Sequence, residues 1–133
     1  MRRTRTVCPF CGCGCSFYLL SEGDRVTGIE PSPLNPVNKG MLCVKGWNAH
    51  EFIHSPERLT TPLIRKHGSL VESTWEEALK VVADRLLDIK KQFGPRALAF
   101  LSSAKVTNEE NYLFMKMARA AFGTNNVDHC ARL

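Results

Sequence analysis

Cys8, Cys11 and Cys15 fall within the segment VCPFCGCGC at positions 7–15, and Cys43 follows after twenty-seven further residues. Thiolates are soft ligands, and three of them crowded into eight residues with Gly12 and Gly14 between them let the backbone wrap closely around a compact inorganic core. A 4Fe–4S cluster takes one thiolate per iron, so its fourth ligand can come from any segment that folds back. Structural zinc usually uses two separated cysteine pairs, and this chain has a triplet and a singleton instead. The cadence therefore favours a cluster, with zinc as a second reading and disulfides or free thiols of a small fold as a third.

The chemistry depends on the compartment. Met1–Thr6 is basic, but Cys8, Pro9 and glycines stand where a signal peptide needs an unbroken apolar stretch, and Arg2-Arg3 is a poor twin-arginine signal. Six cysteines without an export signal favour metal binding in a reducing, cytoplasmic setting. No window approaches the run of apolar residues that a membrane span needs. The net charge of +5 comes from basic residues scattered along the chain, with no basic run interleaved with aromatics. Nucleic acid is therefore not an expected partner.

Two kinds of element must position these cysteines. Up to about residue 60 the chain is short-pieced. Phe17–Leu20 and Arg25–Glu30 read as strands joined by the turn formers Ser21-Glu22-Gly23-Asp24, and Pro31-Ser32-Pro33-Leu34-Asn35-Pro36 can only be an irregular loop bringing Cys43 back to the triplet. Beyond it, Leu63–Lys66 and Leu70–Glu72 read as a hairpin around His67-Gly68-Ser69. Thr74 and Glu77 form a capping box, and Trp75, Leu79, Val82, Leu86, Ile89 and Phe93 mark one face of a helix that Gly94-Pro95 stops. Ala97–Leu101 reads as a buried strand, Thr107 with Glu110 opens a second helix running to about Phe122, and Asn126–Asp128 starts another strand.

Strand, helix, strand at this spacing is a βαβ unit. The expected fold class is α/β with an α+β front part: a small β-rich cluster-binding subdomain over 1–60, then the first βαβ unit of a parallel-sheet domain over 61–133. So few strands make a poor sheet, and ligands of open α/β sheets gather beyond the carboxyl ends of strands, where His129-Cys130-Ala131-Arg132-Leu133 would lie. The second domain reads as incomplete, the front of something larger.

The segments VCPFCGCGC, GMLCVKGW around Cys43 and the SPERLTTPLIR and TWEEAL block resemble the molybdopterin oxidoreductases, from about Val7 to Leu133. The ending NVDHCARL is most similar to the catalytic subunits of molybdenum or tungsten formate dehydrogenases, in which a cysteine or selenocysteine metal ligand comes next. A selenocysteine codon taken as a stop is one expectation for the ending at Leu133; a split subunit, a fragment and a true short protein are the others. The resemblance implies a 4Fe–4S cluster on Cys8, Cys11, Cys15 and Cys43 and, in the whole enzyme, two molybdopterin guanine dinucleotides around molybdenum or tungsten. It further implies formate and carbon dioxide as substrates, the downstream part of the catalytic subunit as a partner, and an iron–sulfur subunit that takes the electrons. Lys45 matches the family lysine between cluster and pterin, and its ammonium could bond the pterin and raise the cluster potential. No residue here matches a catalytic one. The alternative functions are a stand-alone iron–sulfur electron-transfer module and a fragment of another molybdopterin enzyme such as a nitrate reductase.

Other residues carry less. Cys13 is expected to be a small loop residue, Cys130 a packing residue, and Met115 and Met117 core or interface filler. His50 and His54, four apart on an expected short helix after Trp47, lack an accompanying carboxylate motif. His129 could line an active-site floor or be an ordinary surface or core histidine.

Overall fold

A computed structural model describes residues 1–130, and the end of the NVDHCARL segment, residues 131–133, lies outside the described residues. The described residues form two compact units, one built from 1–58, 102–113 and 129–130, the other from 59–101 and 114–128.

The first unit holds an antiparallel sheet in the order β1 (Arg2–Val7), β2 (Ser16–Glu22), β3 (Arg25–Pro31). β2 and β3 are the expected hairpin, extended by a residue or two at their ends. β1 is an addition that sequence reading missed. Its RRTRTV offers period-two alternation without an apolar face, and the strand is largely exposed. Cross-strand side chains hold it instead: the Arg3 guanidinium lies 4.6 Å from the Tyr18 ring centroid and pairs with Glu30 on β3. Phe17, at 1 % exposure, centres a small core with Cys8 and Ala49, onto which Phe10, Cys15, Leu19, Ile29 and Leu42 pack.

The loop after β3 is irregular, as its prolines require, yet it is fixed by buried amides. Asn38 Oδ1 accepts the Ser16 N–H at 3.1 Å, while Asn38 Nδ2 donates to Ser16 O at 3.2 Å and to Met41 O at 2.8 Å. Asn35 Nδ2 donates to Ser16 Oγ at 2.7 Å, and Asn35 Oδ1 accepts the Val37 N–H at 2.7 Å. Ser16, Asn35 and Asn38 are all buried. This polar set ties the 32–43 loop to the start of β2, and α1 (Val44–Trp47) follows it. His50 precedes, and His54 ends, a 3₁₀ turn (Glu51–His54) rather than a regular helix. His54 Nε2 accepts the Val26 N–H at 2.9 Å, so that nitrogen serves the sheet edge.

In the second unit β4 (Leu63–Lys66) and β5 (Ser69–Glu72) pair antiparallel as expected. α2 spans Trp75–Phe93; Thr74 Oγ1 caps it by accepting the Glu77 N–H at 3.2 Å, and Gly94 closes it with its N–H on Lys90 O at 2.9 Å. The expected strand over Ala97–Leu101 is corrected. Pro95–Ala97 forms a 3₁₀ turn, because proline directly after the helix favours a tight turn, and β6 occupies Phe100–Ser102. β6 lies beside β7 (Val127–His129) in a two-stranded parallel sheet, one residue later than expected for β7. Between them runs α3 (Asn108–Lys116), which continues as a π-helical segment over Met117–Phe122. Leu98, Phe100, Ala118 and Phe122 are buried together, with Leu86, Ile89, Phe114 and Val127 against them. Only part of the α2 stripe is thereby covered: Trp75, Leu79, Val82 and Phe93 remain exposed. The mixed α/β class, with its antiparallel β-rich front, is as expected.

Asn38→Ala removes the partner of the buried Ser16 N–H, and a buried group so orphaned costs about 1–3 kcal/mol. A lower denaturant midpoint, seen by circular dichroism, is the expected outcome; an unchanged midpoint would show that the amide is dispensable. At the start of α3 the Glu110 carboxylate accepts the Thr107 N–H at 2.7 Å and its hydroxyl at 2.9 Å, which holds its pKa below the ordinary value. A lowered folded pKa gives stability that is complete above the unfolded value of about 4.3 and is lost as the pH falls through the folded one. Stability measured across that acid window should accordingly be less pH-dependent in Glu110→Gln than in the parent chain.

Candidate iron-sulfur site

β1 and β2 form a hairpin whose connection is the cysteine segment. Val7 pairs with Ser16, and just beyond that pair the Cys8 N–H donates to Cys15 O at 2.8 Å. Cys8 and Cys15 thus face each other across the mouth of the hairpin, with Cys11 on the loop between them. Gly14 has φ +81°, a left-handed conformation open to glycine, and it turns the chain back into β2. At Gly12 the constraint is space: a Cβ there would meet Asn108 Oδ1 at 2.6 Å, and Asn108 Nδ2 donates to Gly12 O at 2.7 Å.

The fourth cysteine arrives from the stapled loop. Cys43 directly precedes α1 as its N-cap residue. Cys8, Cys11, Cys15 and Cys43 line one cavity of about 330 Å³, completed by Phe10, Leu42, Val44 and Gly46 and by two lysines, Lys45 and Lys105. All four cysteines carry free thiols. The sequence-predicted ligand set and Lys45 are therefore brought together around one space.

The four sulfurs differ in setting. Burial pushes the Cys8 thiol up, partly offset by the Phe10 N–H and added to by its neighbouring cysteines. Cys15 is pushed up to about 11, first by burial and then by its contact with Cys13, whose Sγ lies 3.7 Å away. Cys43 is drawn down by the backbone N–H groups of Gly46 and Lys45, with a smaller contribution from the Lys45 charge. A bound cation would overcome such differences, since a coordinated thiol is deprotonated outright.

Four cysteine sulfurs match the needs of a 4Fe–4S cluster, which takes one thiolate per iron. Four thiols distributed around a shared apolar-walled cavity suit a group that presents one iron to each sulfur.

The remaining candidates lie elsewhere. Cys13 is exposed beside Cys15 and does not line the cavity. Cys130 is exposed just after β7, with Sγ 3.2 Å from Ser103 Oγ; that hydroxyl and the Ala104 N–H draw its pKa down. His50 and His54 border a separate cavity with Arg25, Val26, Thr27 and Glu51. Sequence reading missed Asn35, Asn38, Lys105 and Asn108. For Asn108 the one available signal was its place next to the capping residue Thr107; the others carried none.

Comparison with known proteins agrees with this arrangement. A family model described as "Molybdopterin oxidoreductase Fe4S4 domain" matches residues 1–55, and one described as "Molybdopterin oxidoreductase" matches residues 58–133. The chain is 53% identical over 131 residues to a Bacillus subtilis protein named "Putative formate dehydrogenase YrhE", covering 98% of this chain and 13% of that protein. It is 50% identical over 128 residues to the "F420-dependent formate dehydrogenase subunit alpha" of Methanocaldococcus jannaschii, covering 96% of this chain and 18% of that one. The "F420-dependent formate dehydrogenase 1 subunit alpha" of Methanococcus maripaludis is 48% identical over the same length and coverage. The chain thus spans less than a fifth of these curated relatives. With its front matched by the Fe4S4 model and its remainder by the oxidoreductase model, the chain belongs to the molybdopterin oxidoreductase family.

Proposed function

We propose that Cys8, Cys11, Cys15 and Cys43 hold a 4Fe–4S cluster, and that the chain serves as the amino-terminal electron-transfer part of a formate dehydrogenase. The observation that carries the first half is the gathering of these four thiols around one cavity. The second half is supported by the names of the relatives, which are formate dehydrogenases at about half identity. In this reading the whole enzyme interconverts formate and carbon dioxide at molybdenum or tungsten carried by two molybdopterin guanine dinucleotides, in a cytoplasmic setting. An iron–sulfur subunit receives the electrons.

When bound, the cluster supplies one-electron storage and transfer at a potential that the protein tunes. The chain's own residues do the rest. The hairpin mouth fixes Cys8 and Cys15, the 32–43 loop delivers Cys43, and Phe10, Leu42 and Val44 wall the cavity with apolar surface that limits water. Lys45, two residues beyond Cys43, lines the same space; its ammonium is available to bond a pterin and to raise the cluster potential. The exposed stripe of Trp75, Leu79, Val82 and Phe93 on α2 supports a larger polypeptide that covers it.

Anaerobic reconstitution with ferrous iron and sulfide should load about four of each per chain. Cys8→Ser, Cys11→Ser, Cys15→Ser and Cys43→Ser should each lower the iron content, whereas Cys13→Ser and Cys130→Ser should leave it unchanged. One zinc per chain with no sulfide would overturn the cluster. For the substrate, the measurement is formate-dependent reduction of a viologen dye by the full-length enzyme, with its molybdenum and tungsten determined by mass spectrometry. A fully loaded enzyme without that activity would refute formate.

A further inference from the structure

Lys105 lines the cysteine cavity from a segment distant in sequence from every cysteine around it. It stands on the turn between β6 and α3, and that turn is built at both ends. Ser103 Oγ accepts the Lys105 N–H at 3.0 Å, and Ser103 O accepts Asn111 Nδ2 at 3.2 Å. At the far end Thr107 and Glu110 cap α3 reciprocally, and Asn108 Nδ2 reaches Gly12 O at 2.7 Å within the cysteine loop. Segment 103–108 is therefore attached to the very loop that carries Cys11, and it puts Lys105 in the lining of the cavity. The other lysine in the lining, Lys45, comes from α1.

We propose that Lys105 is a second tuning residue of the cluster, its ammonium raising the reduction potential of the group held by Cys8, Cys11, Cys15 and Cys43, with Asn108 as the residue that positions its segment. The inference rests on the cluster reading above. The physical ground is charge: four thiolates give the cluster a net negative charge that increases on reduction, so a nearby cation stabilises the reduced form more than the oxidised one. Because Lys105 is exposed, its influence passes partly through solvent and is open to screening by salt.

The test is a redox titration of the full-length enzyme, monitored by the electron paramagnetic resonance signal of the reduced cluster. Lys105→Met and Lys105→Gln should shift the midpoint to lower potential, and Lys105→Arg should keep it near the parent value. The gap between parent and Lys105→Met should narrow as salt is raised, a response that loss of packing alone would not give. If Lys105→Met loads poorly, the comparison of Lys105→Gln with Lys105→Arg at equal iron content decides. A midpoint unmoved by removal of the charge, or moved equally by Lys105→Arg, would overturn the role of Lys105. An enzyme with no iron and sulfide at all would instead overturn the cluster reading, so the two failures are distinguishable.

Discussion

Ser16 is the point on which the cysteine site depends. It follows Cys15 immediately, is 2 % exposed, and has its N–H, its carbonyl and its hydroxyl all engaged by the loop that delivers Cys43. The Ser32 N–H adds a further bond to the same carbonyl at 3.3 Å. A loop rich in proline has few backbone donors of its own to spend on regular structure. Side-chain amides replace them here, because one asparagine can accept and donate at once and so mimic a strand partner for a single residue. Three cysteines come from the hairpin and one from this loop, and the Ser16 knot makes them neighbours.

The core beneath the site is small, and two of its members are cysteines. Cys8 belongs to the buried group around Phe17, and Cys15 packs against it. The same residues therefore serve as hydrophobic filling and as donors, which couples the order of the loop to the packing under it. A domain with so little apolar mass gains from any group that bridges its segments, and metal binding is folding free energy in such cases.

Much of this was legible in the sequence, for physical reasons that differ by element. α2 announced itself through a capping box, a 3.6-residue stripe and a glycine-proline stop, and its ends fall where those signals put them. The hairpins at β2–β3 and β4–β5 were marked by turn formers. The cysteine cadence located the cavity because ligand type and spacing are local properties. What escaped was non-local. β1 lacks apolar alternation and is held by Arg3 against Tyr18 and Glu30, partners invisible until the sheet forms. Asn35 and Asn38 look like ordinary loop residues, and Lys105 looks like one more surface cation. The strand expected at Ala97 begins at Phe100 because a tight turn over Pro95–Ala97 takes up its start. The apolar stripe of α2 was rightly placed on one face, but only Leu86 and Ile89 of it find a core within the described residues.

The bond from Asn108 to Gly12 spans 96 positions along the chain. A ribosome adding roughly 5–20 residues per second needs about 5–20 s to travel that distance. During that interval Cys8, Cys11 and Cys15 have already left on a hairpin made of local contacts, and Cys43 can follow on its stapled loop, while the wall bearing Lys105 does not yet exist. The last of the four cysteines is made at position 43, so the full set of thiols precedes Asn108 by 65 residues, about 3–13 s of synthesis at the same rate.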